Sequence, residues 1–174
     1  MTATHHPGSW TWLPGTLRIA RGSIADYATL QRFHYLGGRP ATWADVRVAR
    51  YAPPEDPSAR AQLAAVAVLS WPVPCMRGRE TFFGTRGWAY GRRLRWANRN
   101  VRTISRVIVH PQFRGVGLAS GLVRQLIAAC PVRYVEAVAA MGRAHPFFEK
   151  AGMRRIDPAD EGAVYYVFDR KKPI

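Results

Sequence analysis

The chain contains few acidic residues, few cysteines and no long apolar run, and each shortage excludes a class of protein. Asp and Glu number 11 among 174 residues, against 26 Lys and Arg, so the formal net charge is +15. Cys75 and Cys130 stand far apart without CxxC spacing, which predicts neither a disulfide framework nor a zinc site. No apolar run approaches the roughly 18 residues that span a bilayer. We therefore expect no metal and no membrane-spanning segment.

The amino terminus also lacks the features of an export signal. The stretch MTATHHPGSWTW has neither a basic start nor an apolar core, so we expect a cytoplasmic protein and interpret His5 and His6 as solvated terminal residues. A chain of 174 residues suits one domain, and a hydrophobic content of 48% predicts a folded core. The oligomeric state, monomer or homodimer, stays open.

Strand-like and helix-like apolar patterns alternate along the chain from Thr16 onward. Strands are predicted at 16–22, 43–52, 61–71, 101–110, 132–141 and 163–170. Helices are predicted at 23–35, 115–130 and 145–152, the first of them beginning after a Ser23 cap. We expect the second and third strands to form an antiparallel hairpin. No regular pattern is present between Pro72 and Arg102, which predicts a basic and aromatic loop insertion at about residues 73–101.

The stretch FRGVGLAS predicts an anion-binding turn between a strand and a helix. Gly115 and Gly117 let backbone N–H groups turn toward one point, and the helix that follows adds the positive end of its dipole. Arg114 adds a charged donor. The alternative is a tight turn that needs glycine only for its backbone angles. The Gly-Lys-Ser/Thr of a P-loop and the G-x-G-x-x-G of a dinucleotide fold are both absent, so neither of those sites explains the turn.

This region resembles the coenzyme signature of the GNAT acetyltransferase superfamily, Arg/Gln-x-x-Gly-x-Gly/Ala after a strand that ends in Val-x-Pro. The matching residues are Val109, His110 and Pro111, followed by Arg114 to Ala119. The stretch FFEKAGM is similar to the family's carboxyl-terminal signature. The resemblance implies an α/β (α+β) fold, a single GNAT-like domain over 1–174 with a mixed, mostly antiparallel twisted sheet, flanking helices and a splayed central strand pair.

The resemblance also implies acetyl-CoA as the co-substrate. Backbone N–H groups from Arg114 to Ala119 would hold its pyrophosphate, and the main chain of Val107 and Val109 would pair with its pantetheine arm. The implied coenzyme contacts are Val107, Ile108, Val109, Arg114, Gly115, Val116, Gly117, Leu118, Ala119, Ser120 and Phe148. A core role for the three strand residues is compatible with this, because the binding uses their backbone.

Two catalytic groups that are frequent in the family have no counterpart here. The strand before the turn, VRTISRVIVH, carries no carboxylate to act as a base, and Phe148 stands where many members have a tyrosine acid. Glu136 is the only acidic residue on the next strand, so it is the first candidate for the general base; an exposed or salt-bridged carboxylate is the alternative. His34 and Tyr35 are further candidates, because they border the loop beside the acceptor site. Otherwise proximity would supply most of the rate, with water as acid and base.

The segment between residues 73 and 106 holds nine arginines against the single acid Glu80, interleaved with aromatic residues. Arginines pair with phosphates and aromatic rings stack on unpaired bases, so this composition is typical of an RNA-contacting surface. The candidate nucleic-acid contacts are Arg86, Trp88, Arg92, Arg93, Arg95 and Trp96. The alternative is a long loop whose aromatic rings pack on the core and whose arginines are merely solvated.

Three functions remain open from the sequence. The first is an acetyl-CoA-dependent N-acetyltransferase that modifies a primary amine on an RNA-associated acceptor, such as a charged tRNA, a nucleobase or a ribosomal protein. The second is the same reaction on a small-molecule amine. The third is a catalytically reduced domain that binds acyl-CoA or nucleic acid without turnover.

Overall fold

The strands and helices follow one another in the order that the apolar patterns predict, with two additional helices before the fourth strand and one short additional strand after the last helix. The computed structural model describes residues 15–35, 37–54, 61–142, 144–157 and 162–172, so His5 and His6 lie outside the described residues. The elements are β1 (Thr16–Arg21), α1 (Ile24–Leu30), β2 (Asp45–Ala52), β3 (Gln62–Ser70), α2 (Arg77–Phe82), α3 (Tyr90–Asn100), β4 (Val101–Val109), α4 (Leu118–Ala129), β5 (Tyr134–Ala139), α5 (Phe147–Lys150), β6 (Arg154–Ile156) and β7 (Val164–Asp169). Short 3₁₀ turns occupy Gln31–Phe33 and Pro111–Phe113.

The first helix begins where its sequence predicts. The Ser23 hydroxyl accepts the backbone N–H of Asp26, and the Asp26 carboxylate accepts the backbone N–H of Ser23 (2.8 Å). This reciprocal capping box satisfies two backbone donors that the first turn of a helix would otherwise leave unpaired. A strand followed by a helix therefore opens the fold, as predicted.

The seven strands form one mixed sheet in the order β1-β2-β3-β4-β5-β7-β6. All neighbouring pairs are antiparallel except β4 and β5, which are parallel. The predicted hairpin of β2 and β3 is present. The expected fold class, a mostly antiparallel sheet with flanking helices, is thereby confirmed.

The parallel pair of β4 and β5 separates after four residues. Val101 to Ile104 pair with Tyr134 to Ala137, whereas in the described sheet the rest of β4, up to Val109, pairs with β3 alone. We call the point of separation the fork. A gap between β4 and β5 opens from the fork toward the carboxyl end of β4.

A β-bulge in β4 coincides with the fork. Val68 on β3 pairs with Arg106 and the next residue, Leu69, pairs with Ile104, so Ser105 is the extra residue of β4. A bulge of this kind bends a strand and increases its local twist. The bulge therefore helps β4 to diverge from β5 at this position.

Each face of the sheet has its own hydrophobic core. Helix α4 covers one face with buried side chains that include Leu122 and Leu126. Helix α1 covers the other face at β2, β3 and β4, where Tyr27 and Leu30 lie in one cluster with Ile108. Residues of β4 after the bulge therefore alternate between the two faces, which decides where the functional side chains of that strand point.

The segment expected to be a loop insertion at about 73–101 is instead largely helical, and this corrects the sequence prediction. It forms α2 and α3, which pack on the sheet through a cluster of rings: Phe83 lies 4.8 Å from both Trp96 and Tyr134, measured between ring centroids. Gly78 of α2 lies so close to the Tyr165 ring that an added Cβ would come within 2.6 Å of it. Tertiary packing on the sheet stabilises these helices.

Replacing Gly78 with Ala should destabilise the protein by about 1–3 kcal/mol, because the added methyl group would force α2 away from Tyr165. Urea denaturation would measure the change. Gly87→Ala is the matched control, since a Cβ there meets nothing within 4 Å. Equal urea midpoints for the two variants would contradict the close packing of α2 on the Tyr165 ring.

Candidate active site

The predicted phosphate-binding turn lies at the open end of the gap between β4 and β5. The 3₁₀ turn after β4 is held by Phe113, which is buried and packs against Tyr51 at 5.3 Å between ring centroids. Gly115 and Gly117 then adopt left-handed backbone angles, with φ of +82° and +83°. A Cβ at position 115 would meet nothing within 4 Å, so the backbone angle, rather than lack of space, favours glycine there.

Helix α4 begins at this turn without a capping side chain among the described residues. Gly117 occupies the N-cap position, and the Ser120 hydroxyl donates to the Gly117 carbonyl (2.9 Å) instead of accepting a backbone N–H. The N–H groups of the first helical turn have no partners within the helix, and the helix dipole places positive potential there. Arg114, whose Nε donates to the Val109 carbonyl at 3.5 Å, adds a charged group. Together these features suit an anion such as a phosphate.

The predicted coenzyme contacts on β4 line the gap. Val107 and Val109 are half-buried on the α4 face, whereas Ile108 is buried on the α1 face. Phe148 is almost fully buried and lies 4.9 Å from Tyr166 between ring centroids, so core packing accounts for its side chain. The strand residues thus present backbone to the gap while their side chains join the cores.

Glu136 lies at the closed end of the gap in a fully buried hydrogen-bond network. Its Oε2 accepts from Arg79 Nε and from the Tyr165 hydroxyl, both at 2.9 Å, and its Oε1 accepts from Arg79 Nη2 and from the Thr103 hydroxyl. Glu136 is 0% exposed and Arg79 is 3% exposed. Thr103 is the residue that pairs with Glu136 across β4 and β5, so the network clamps the two strands directly before the fork.

The electrostatics of this network do not suit a general base. Each carboxylate oxygen of Glu136 already accepts two hydrogen bonds, one of them from a buried guanidinium. Burial works to lower the pKa of Arg79, but the hydrogen bonds and charge of Glu136 outweigh it and raise the pKa overall. Burial and the neighbouring Glu136 raise the pKa of Tyr165, so its phenol stays protonated. Glu136 thus lies in the kind of salt bridge that the sequence analysis gave as the alternative to a general base.

His34 and Tyr35 follow the first 3₁₀ turn, which lies beside the end of β4. Phe33 of that turn packs edge-on against His110, with ring centroids 4.9 Å apart. His34 and Tyr35 stack on each other at 4.8 Å, and Tyr35 is 61% exposed. The structure therefore places this pair beside the open end of the gap and outside the buried Glu136 network.

A pair of serine hydroxyls at the fork escaped the sequence analysis. The Oγ atoms of Ser70 and Ser105 lie 2.6 Å apart, and Ser70 donates to the backbone carbonyl of Thr42. Arg79, the partner of Glu136, was also missed as a site residue. No local signal identifies either contact, because 35 residues separate the serines and 57 separate Arg79 from Glu136.

The six candidate nucleic-acid contacts divide into exposed and packed side chains. Arg86, Arg92 and Arg95 are exposed, whereas Arg93 is half-buried and pairs with Glu80 (2.9 Å). Both tryptophans are half-buried: Trp88 lies under the Arg92 guanidinium at 4.2 Å, and Trp96 packs against Phe83. Arg99 is also exposed and extends the face of α3 that carries Arg92 and Arg95.

Neither a metal site nor a spanning helix is found within the described ranges. Among these residues no group of three or more His, Cys, Asp or Glu side chains could hold a metal ion. No helix there is both long and apolar enough to cross a membrane.

Comparison with known families shows what this arrangement is similar to. A model of the acetyltransferase (GNAT) family matches residues 81–153, which include the fork, the phosphate-binding turn and α5. The resemblance to the GNAT acetyltransferases is thereby confirmed. This segment of the chain is therefore similar to the GNAT family model. No curated protein sequence matches the chain.

Solved structures of GNAT proteins share the fold over most of the chain. The NatC complex bound to a Gag peptide and CoA matches with a TM-score of 0.55 and 14% identity, covering 88% of this chain and 98% of that one. A mutant AtaT toxin bound to the C-terminus of the antitoxin AtaR and acetyl-CoA matches with a TM-score of 0.51 and 18% identity, covering 89% of this chain and 94% of that one. AAC(6')-Ib in complex with ribostamycin and coenzyme A matches with a TM-score of 0.51 and 17% identity, covering 90% of this chain and 94% of that one. At these identities the likeness shows the GNAT fold alone.

Replacing Glu136 with Gln should lower the free energy of unfolding by about 3–5 kcal/mol, because the buried Arg79 charge would lose its counter-charge. Urea denaturation would measure the loss. Asp157→Asn is the control: it breaks the solvent-exposed pair with Arg155 and should change stability little. If the two variants unfold at the same urea concentration, Arg79 and Glu136 do not form the buried pair described here.

Proposed function

We propose that this GNAT protein is an acetyl-CoA-dependent N-acetyltransferase that acetylates a primary amine on an RNA-associated acceptor. The single observation that carries the proposal is the position of the phosphate-binding turn at the open end of a gap between two diverging parallel strands. Such a gap accommodates an extended thiol arm, with its phosphates at the turn and its reactive end at the fork.

The coenzyme contacts follow from this placement. Backbone N–H groups of the stretch Arg114 to Ser120 would hold the pyrophosphate, supported by the dipole of α4. The backbone of Val107 to Val109, which lacks a β5 partner in the described sheet, would hydrogen-bond the pantetheine arm. The thioester would then lie near Ser105, where the gap closes.

The chemical step requires an amine with a free electron pair at the fork. The amine nitrogen attacks the thioester carbonyl and forms the carbon–nitrogen bond of the amide, the carbon–sulfur bond breaks, and the proton that the nitrogen loses is balanced by the proton that the CoA thiolate takes up. Because Glu136 is saturated by donors, we assign it the role of holding the fork together rather than that of base. Proximity at the fork supplies much of the rate, with water moving the protons.

The charge of the protein favours an anionic acceptor over a polycationic one. All seven carboxylates of the described residues lie within 4 Å of an arginine nitrogen, so none is left over to attract a cation. The exposed arginines on α3 instead form a positive face, and aromatic residues lie beneath it. These features support an acceptor that carries phosphates, as RNA does.

Replacing Gly117 with Glu should abolish binding of acetyl-CoA, measured by isothermal titration calorimetry. The new side chain would bring negative charge to the phosphate position and strain a backbone with φ of +83°. Gly87→Glu introduces the same charge at an exposed loop position and should leave the affinity unchanged. Retained affinity in the folded Gly117 variant, with circular dichroism as the check on folding, would refute the assigned phosphate site.

Replacing Arg92 and Arg95 together with Ala should weaken binding of single-stranded RNA and reduce the salt dependence of its affinity. Each lost phosphate contact should lower the slope of log affinity against log salt by about 0.7. Fluorescence anisotropy with a labelled oligonucleotide at several salt concentrations would measure both effects. The control is Arg18→Ala with Arg21→Ala, which removes the same charge from the exposed edge strand β1. Equal losses in both double variants would indicate a general charge effect and would favour a small-molecule acceptor.

A further inference from the structure

A buried nitrogen of an arginine lies at the fork without a hydrogen-bond partner. Arg106 directly follows the bulge residue Ser105, and its Nε is buried and unpaired within the described part of the chain. Its Nη1 donates to the Ser105 carbonyl at 2.8 Å, so the guanidinium lies close to the bulge. Buried N–H donors in native proteins nearly always have partners, so this nitrogen requires an explanation.

The side chain of Arg106 points to the face of the sheet opposite α4. Ile108, two residues further along β4, belongs to the α1 core, and Val68, the partner of Arg106 on β3, belongs to the same core. Since side chains alternate along a strand, Arg106 shares that face. Thr103 and Glu136 occupy the same face on the other side of the bulge, so Arg106 lies beyond the clamp, where β4 and β5 have separated.

Two other arginines have unpaired buried Nε atoms, but their surroundings account for their positions. Arg93 pairs with Glu80. Arg102 donates to the carbonyls of Asn98 and Val101, and its guanidinium lies 3.6 Å from the centre of the Trp71 ring. Both lie before the fork, on α3 and at the start of β4. Arg106 is the only one of the three that borders the gap.

No described carboxylate serves as the partner of Arg106. On its face of the sheet, Asp26 binds Arg50, Asp45 binds Arg47 and Glu136 binds Arg79. The adjacent bulge residue, Ser105, carries a neutral hydroxyl that lies 2.6 Å from the Ser70 hydroxyl. Arg106, whose Nε has no hydrogen-bond partner among the described residues, therefore directly follows Ser105, the residue near which the thioester would lie.

We propose that Arg106 binds an anionic group of the acceptor, a carboxylate or a phosphate that lies close to the amine to be acetylated. The inference rests on the proposed function and deepens it, because it names the chemical class of the acceptor. A guanidinium presents a planar set of donors that matches both anions. Arg106 is thus a specificity-determining residue that would orient the amine toward the thioester.

The direct test follows the arginine Nε–H signals by NMR in the ¹⁵N-labelled full-length protein. Sodium acetate and inorganic phosphate serve as the carboxylate and phosphate probes, each titrated with CoA bound and without it. We expect a saturable shift of the Arg106 signal, identified by its loss in Arg106→Gln, with CoA bound. The Arg93 and Arg102 signals are internal controls and should stay in place, because those side chains lie away from the gap. A response to only one of the two probes would assign the anion.

The absence of a saturable Arg106 shift with either probe would overturn the inference. A shift that appears only without CoA would also overturn it, since Arg106 would then be a contact of the coenzyme. Binding of CoA is measured separately by calorimetry, so a failure of the proposed function is distinguishable from a failure of this inference.

Two variants separate recognition from a general effect of charge. Arg106→Lys keeps the charge but loses the planar donors, and it should weaken anion binding by about tenfold, followed through the Ser105 backbone amide signal. Arg21→Gln removes a charge from the exposed end of β1 and should leave the affinity unchanged. Equal weakening in the Arg21 and Arg106 variants would contradict a specific role for Arg106.

Discussion

The buried ion pair between Arg79 and Glu136 is the interaction on which the rest of the structure depends. It joins α2 to β5, while the same carboxylate binds Thr103 on β4 and Tyr165 on β7. Removing two charges from water costs several kcal/mol for each ion, so such a pair is stable only with excellent geometry and further hydrogen bonds. The four donors around Glu136 supply those conditions. Their joint effect is to hold β4 and β5 together up to the fork and no further.

The fork gives the two ends of the gap different roles. On the open side, the phosphate-binding turn and the start of α4 offer backbone donors and positive potential. On the closed side, the clamp and the bulge at Ser105 define where a thioester arm must end. A ligand that lies in the gap therefore reaches a fixed point, and under the proposed function an acceptor would meet it from the face that carries Arg106. Catalysis by proximity requires this kind of fixed geometry.

The excess of arginine is distributed among three physical roles. Some arginines neutralise carboxylates, as Arg79 does, and others lie over aromatic rings, as Arg102 does over Trp71. The remainder, such as Arg95 on α3, are exposed and contribute a positive surface. The net charge of the chain alone does not distinguish these roles, since they depend on which residues surround each guanidinium. For this reason a general preference for polyanions follows from composition, whereas the anion-binding role of Arg106 follows from its position.

The sequence by itself determined most of the elements and the phosphate-binding turn. Alternating strands, the Ser23 cap and the glycine turn are local patterns, and local backbone preferences decide them. The sequence did not reveal α2 and α3, because Gly78 and Phe83 owe their positions to rings from distant strands. It also left the role of Glu136 open between a base and a salt-bridged carboxylate. Only the tertiary structure placed Glu136 in a buried ion pair and left the buried Nε of Arg106 without a described partner. Burial and hydrogen bonding between residues far apart in the chain arise only when the sheet has formed.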